Sequence, residues 1–111
     1  MPEAHSDARI VLTTTADIGA ARRLGRALVE ERLAACATIV PAVESIYRWK
    51  GQMEGSNEAL LLLKTSAERV DELEARLKEL HSYQTPEFLV LPVERGSAGY
   101  LEWLMESVHQ E

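Results

Sequence analysis

Residues 35–49 form one extended stretch, Ala35 to Trp49, that is too long for the body of the chain to contain. At about 3.3 Å per residue it would span roughly 50 Å, well over twice the usual strand. The chain has only 111 residues, which suits one domain. Pro41 interrupts the stretch and removes a backbone donor, so a bulge or an edge position is expected there. Lys50-Gly51 supplies a turn that sends the chain back. The part beyond Pro41 should overhang the domain, carrying Ile46, Tyr47 and Trp49. Tyr47 and Trp49 are two residues apart and share one face of a strand. An isolated hairpin is marginal in water, and an edge strand with exposed aromatics invites aggregation unless it is covered. Either the hairpin folds back on its own helices or another copy covers it. Pairing with another copy is the simpler solution and predicts a homo-oligomer built partly by sheet edges. The pattern alone does not choose between a dimer and a trimer.

The other elements follow from local patterning. Residues 1–8 are polar and read as a disordered lead, with a single domain over 9–111. Arg9 to Thr15 is rich in β-branched residues and predicts a strand. Asp17 can cap a helix whose apolar face is Ala21, Leu24, Leu28 and Val29. Gly25 lies inside that helix, where a missing side chain lets it approach a sheet closely. Glu58 to Thr65 holds the run Ala59-Leu60-Leu61-Leu62-Leu63, which fits helix or strand by pattern; the preceding hairpin signal favours strand. Thr65-Ser66-Ala67-Glu68 fits a capping box for a helix with Val70, Leu73, Leu77 and Leu80 inward. Glu72–Arg76 and Glu74–Lys78 are spaced as four-residue ion pairs on its solvated face. Phe88 to Leu91 predicts a last strand closed by Pro92, and Ser97 a cap for a helix with Leu101, Leu104 and Val108 inward. The order β-α-β-β-α-β-α predicts an α+β domain, a ferredoxin-like βαββαβ sandwich with an extra C-terminal helix and a long hairpin between its second and third strands.

Charge and cysteine content exclude several functions. The net charge is −6, with no basic stripe, which argues against nucleic acid because phosphate binding draws on positive charge. The longest apolar run, Ala59 to Leu63, is too short for a membrane span. One cysteine, Cys36, cannot make an internal bridge, and Met1 to Asp7 has neither the basic nor the apolar region of a signal peptide. These features give a cytoplasmic expectation. The chain carries no Gly-rich phosphate loop, Cys-x-x-Cys, His-Glu-x-x-His or Gly-x-Ser-x-Gly, so no catalytic constellation is expected and the protein is not read as an enzyme.

Three segments carry a family likeness. They are Leu33-Ala34-Ala35-Cys36-Ala37-Thr38-Ile39-Val40-Pro41, Ser45-Ile46-Tyr47-Arg48-Trp49-Lys50-Gly51, and His81-Ser82-Tyr83-Gln84-Thr85-Pro86-Glu87 followed by Leu91-Pro92. In order and spacing the chain resembles the CutA family of divalent-cation tolerance proteins over roughly residues 9 to 108. The resemblance implies a ferredoxin-like subunit, a homotrimer in which strands of neighbouring subunits pair, and a role in tolerance to copper and other divalent cations. Relatives that carry a cysteine near the end of the first strand have Thr13 as their counterpart here, and those with a second histidine before the third motif have Leu80.

A metal site needs converging donors. Of the histidines, His5 and His109 are terminal, and His81 alone lies in a family motif. His81 and Glu87 are the candidate metal ligands, with copper favoured over zinc and a third donor from a neighbouring subunit; no cofactor is required. The competing reading is structural, because a histidine at a helix C-terminus interacts well with the dipole when protonated. Pro86 holds the segment before Glu87 extended, and Tyr83 and Pro86 are expected to line the same cleft. Cys36 is a soft donor for Cu(I), but it sits among small apolar residues and reads better as core. The alternative function is a structural or regulatory trimer, similar in architecture to the PII signalling proteins, that binds a protein partner or small ligand in clefts between subunits.

Overall fold

The computed structural model describes residues 6–109, so His5 and most of the lead lie outside the described residues. The elements are β1 (Ala8–Thr15), α1 (Ile18–Glu30), β2 (Cys36–Trp49), β3 (Gln52–Ser66), a 3₁₀ turn (Ala67–Arg69), α2 (Val70–Leu80), β4 (Leu89–Pro92) and α3 (Ala98–Ser107). The first strand starts one residue earlier than expected, because Ala8 is buried and pairs with Ser66. The four strands form one antiparallel sheet in the order β2-β3-β1-β4. This is the ferredoxin-like α+β arrangement, and the apolar run Ala59 to Leu63 lies in a strand paired on both sides.

The core is set by strand alternation. Val11 from β1 and Leu61 and Leu63 from β3 pack against Leu24 and Leu28 of α1 and Leu73 and Leu77 of α2, all buried. Asp17 caps α1 as expected, accepting from the Ala20 N–H at 2.8 Å. Gly25 is where α1 meets β2: an added Cβ would lie 3.0 Å from the Ala37 Cβ. Val29 and Leu80, expected on inward faces, are exposed instead. A second cluster, Ala8, Ala35, Leu104 and Val108, seats α3 near the start of β1.

The opposite face of the sheet is open. Register places Ile10, Leu12, Leu60, Leu62, Leu89 and Leu91 together on it. None of the six belongs to either core cluster. Leu89 and Leu91 are 52% and 45% exposed, and the other four are half-buried. These six side chains form one continuous apolar stripe across β4, β1 and β3.

The overlong hairpin stands out from the body. Register shifts between Val40 and Val43, at the bulge expected from Pro41. Lys50 and Gly51 have φ of 50° and 80°, the positive values a two-residue type I′ turn requires. Trp49 and Gln52 face each other across that turn, and the molecule measures 50 Å along its longest axis. Ile46, Tyr47 and Trp49 are 68%, 42% and 50% exposed, so the hairpin does not fold back on its own helices.

Two local expectations fail for tertiary reasons. Thr65 is not a helix cap: it lies in β3, and its buried hydroxyl donates to the Leu33 carbonyl at 2.7 Å. The helical segment therefore begins one residue later, as a 3₁₀ turn after Ser66. Glu74–Lys78 forms at 2.7 Å, but Glu72 pairs with Arg69, and Arg76 reaches across to Glu31, the C-cap of α1, at 2.9 Å. Ser97 stands at the N-cap of α3 without a side-chain cap bond.

Thr13 faces the core, fully buried, and its Oγ1 has no hydrogen-bond partner among the described residues. A buried unsatisfied hydroxyl costs free energy that an apolar isostere avoids. Thr13→Val is expected to raise the unfolding free energy by about 1 kcal/mol, read by urea denaturation at fixed protein concentration. A loss of stability would show that the hydroxyl is satisfied in solution.

Candidate functional site

The motif around His81 closes on the root of the hairpin. His81 is the C-cap of α2, with its N–H on the Leu77 carbonyl at 2.8 Å. The backbone there turns extended, at φ −77° and ψ 141°, and carries the ring across to the end of β1. Nε2 lies 2.8 Å from the Thr14 carbonyl oxygen, and Nδ1 lies 3.1 Å from the Tyr83 backbone N. A peptide N–H only donates and a carbonyl only accepts. Nδ1 must therefore be the acceptor and Nε2 must carry the proton. The ring is neutral, with both nitrogens engaged, and does not serve as a charged helix-terminal group.

Tyr83 stacks obliquely on His81, with centroids 4.8 Å apart. Its hydroxyl donates to Glu58 Oε2 at 2.6 Å. Glu58 begins the buried part of β3 opposite Val43 and is itself buried. Burial pushes its carboxyl up, but hydroxyls of Ser45, Tyr83 and Thr14 donating to the carboxylate outweigh that, and the net effect holds it below its ordinary value. Tyr83 is pushed well above the usual tyrosine range, first by burial and then by the Glu58 carboxylate. The cluster thus fastens four segments: β1 through Thr14, β2 through Ser45, β3 through Glu58, and the connection after α2 through His81 and Tyr83.

The structure does not join the other expected donors to this cluster. Glu87 is exposed, and among the described residues no hydrogen bond or ion pair links it to His81. Pro86 is half-buried and borders a different hollow, with Phe88, Glu74 and Lys78. Cys36 lies on β2, half-exposed, with the Lys64 ammonium 3.8 Å from its sulfur. Ile46, Tyr47 and Trp49 are out on the hairpin; the Tyr47 hydroxyl lies 3.4 Å from Ser56 Oγ. His109 is exposed beyond α3. Among the described residues no group of three His, Cys, Asp or Glu side chains could hold a metal ion. The donor set therefore does not fit a metal centre within one subunit: His81 has no free lone pair, the Glu58 carboxylate already accepts from the Tyr83 hydroxyl, and Cys36 faces an ammonium.

Glu58 went unnoticed in the sequence. The available signal was a carboxylate placed directly before a buried apolar run, where a charge must find partners. A separate groove of about 670 Å³ runs between α1 and the start of β2, bordered by Gly25, Val29, Ala37, Ile39 and Trp103. It flanks the outer edge of β2 and shares no lining residue with the Glu58 cluster.

Comparison with known proteins agrees with this architecture. Residues 9–107 match the family model described as CutA1 divalent ion tolerance protein. The divalent-cation tolerance protein CutA of Thermus thermophilus is 47% identical over 98 residues, covering 88% of this chain and 95% of that protein. Its counterpart in Pectobacterium atrosepticum is 43% identical over 102 residues, covering 92% and 93%. The crystal structure of CutA from Xylella fastidiosa superposes with a TM-score of 0.91 at 39% identity, covering 94% of this chain and all of that one. The chain belongs to the CutA1 divalent ion tolerance family.

Proposed function

We propose that this protein serves divalent-cation tolerance as a homotrimer, and that the assembled trimer, not a copper centre built within one chain, is the working form. The observation that carries this reading is the unfinished sheet. Its two outer strands, β2 and β4, each have one unpaired edge, and the face bearing Leu12, Leu60 and Leu62 has no core cluster over it. If β4 of one copy pairs with the outer edge of β2 in the next, the contact is head-to-tail and forms a ring when the rotation between copies is one third of a turn. Val90, exposed on the helix side of β4, would then approach the groove beside β2. The open faces of the copies would meet inside the ring, and the hairpins would wrap neighbouring subunits. The number three is what the CutA resemblance implies.

The test uses cells that lack the gene, challenged with copper and with zinc. Re-expression of the wild-type protein is expected to restore growth. Leu62→Asp, which places a carboxylate on the open face, is expected not to restore it at equal expression. Full rescue by a variant shown to be monomeric would overturn the reading, as would failure of the wild type to rescue.

A further inference from the structure

We infer that His81 is a positioning residue, a neutral imidazole pinned between the Thr14 carbonyl and the Tyr83 N–H, and that cation tolerance in this chain does not run through metal coordination at that ring. The family motif places a histidine where a ligand is expected, but the geometry commits both of its nitrogens. A metal at Nδ1 would displace the Tyr83 N–H from a 3.1 Å contact. A metal at Nε2 would have to remove the proton held on the Thr14 carbonyl at 2.8 Å. Either step leaves a backbone group without its partner, at a cost the cation must repay. Nearby donors do not help. Glu58 already accepts from the Tyr83 hydroxyl at 2.6 Å, and Glu87 is exposed without a contact to the ring.

What the ring does instead is set the turn 81–83. Fixing the Tyr83 N–H onto Nδ1 orients the residue whose hydroxyl sits 2.6 Å from Glu58. His81 therefore acts through Tyr83 on the root of the hairpin. This inference is independent of the trimer, since every contact in it lies within one chain.

The first experiment is a long-range ¹H–¹⁵N spectrum of the wild-type protein at neutral pH, with and without one equivalent of zinc. Expected are a bare Nδ1, a protonated Nε2, and no change in either signal on adding zinc. The opposite tautomer, or zinc-dependent shifts of the ring nitrogens with saturable binding in calorimetry, would overturn the inference. The second experiment follows hydrogen exchange of the Tyr83 amide, which lies 3.1 Å from Nδ1. In folded His81→Ala it should exchange about tenfold faster or more, as for an amide that has lost its acceptor. His81→Asn can keep an amide oxygen on the Tyr83 N–H and should retain most of the protection. An unchanged Tyr83 exchange rate in folded His81→Ala would remove the positioning role. The wild-type spectrum decides the ligand question even if the alanine variant does not fold.

Discussion

Leu62→Asp is expected to reduce the mass in solution to one third, from about 37 kDa for three chains to the 12.4 kDa of one. Leu62 lies in β3, pairs with Leu12 on one side and Thr38 on the other, and faces away from the helices. In the subunit it is half-buried and belongs to neither core cluster, so a polar replacement leaves the core intact. In the trimer it would sit at the centre of the contact. Burying a leucine side chain there contributes about 1.5–3 kcal/mol per copy. An unpaired carboxylate in the same place costs several kcal/mol per ion instead. Sedimentation gives the mass, and circular dichroism confirms that the subunit stays folded. A variant that remains a stable trimer would show that the open face is not where the copies meet.

Glu58→Ala is expected to destabilise the protein by about 2–3 kcal/mol, because it removes the buried acceptor of the Tyr83 hydroxyl, and a hydrogen bond to a charged group contributes about 1.5–3 kcal/mol. Glu58→Gln keeps the shape and an acceptor oxygen and should cost about half as much. The pH dependence has a definite sign. The folded state holds the Glu58 carboxyl below its ordinary 4.5. Its stabilising contribution is therefore fully present above that value and is lost as pH falls through the lower folded value. Urea unfolding of the wild type between pH 7 and pH 3 should show this loss, and Glu58→Gln should lack that component. Protein concentration must be held fixed, since assembly adds to apparent stability. Equal acid sensitivity in wild type and Glu58→Gln would show that the carboxylate does not hold the root of the hairpin.

The hairpin was legible in the sequence because its signals are local. Pro41 marks the bulge, Lys50-Gly51 makes the turn, and the length between them forces an overhang. The helix faces were legible at their centres, where Leu73 and Leu77 are buried, and failed at their ends, where Val29 and Leu80 turn outward. What escaped depends on partners far away in the chain. The Thr65 hydroxyl is claimed by Leu33, 32 residues earlier, which overrides a capping pattern that local spacing supports well. Glu58 meets Tyr83 across 25 residues and His81 meets Thr14 across 67. Periodicity says which face a residue occupies; it does not say which strand end the connection after α2 will touch. The chemistry of the motif was legible in part: His81 was singled out, but its tautomer and its saturation follow only from two backbone groups brought to it by the fold.

If copies of the same chain cover the open sheet face and the overhanging hairpin, the wild-type protein is a trimer in solution. Sedimentation equilibrium over a wide dilution range decides this. A single species of about 37 kDa, three times the 12.4 kDa chain, should persist on dilution. A single species of 12.4 kDa at the same concentrations would rule the trimer out.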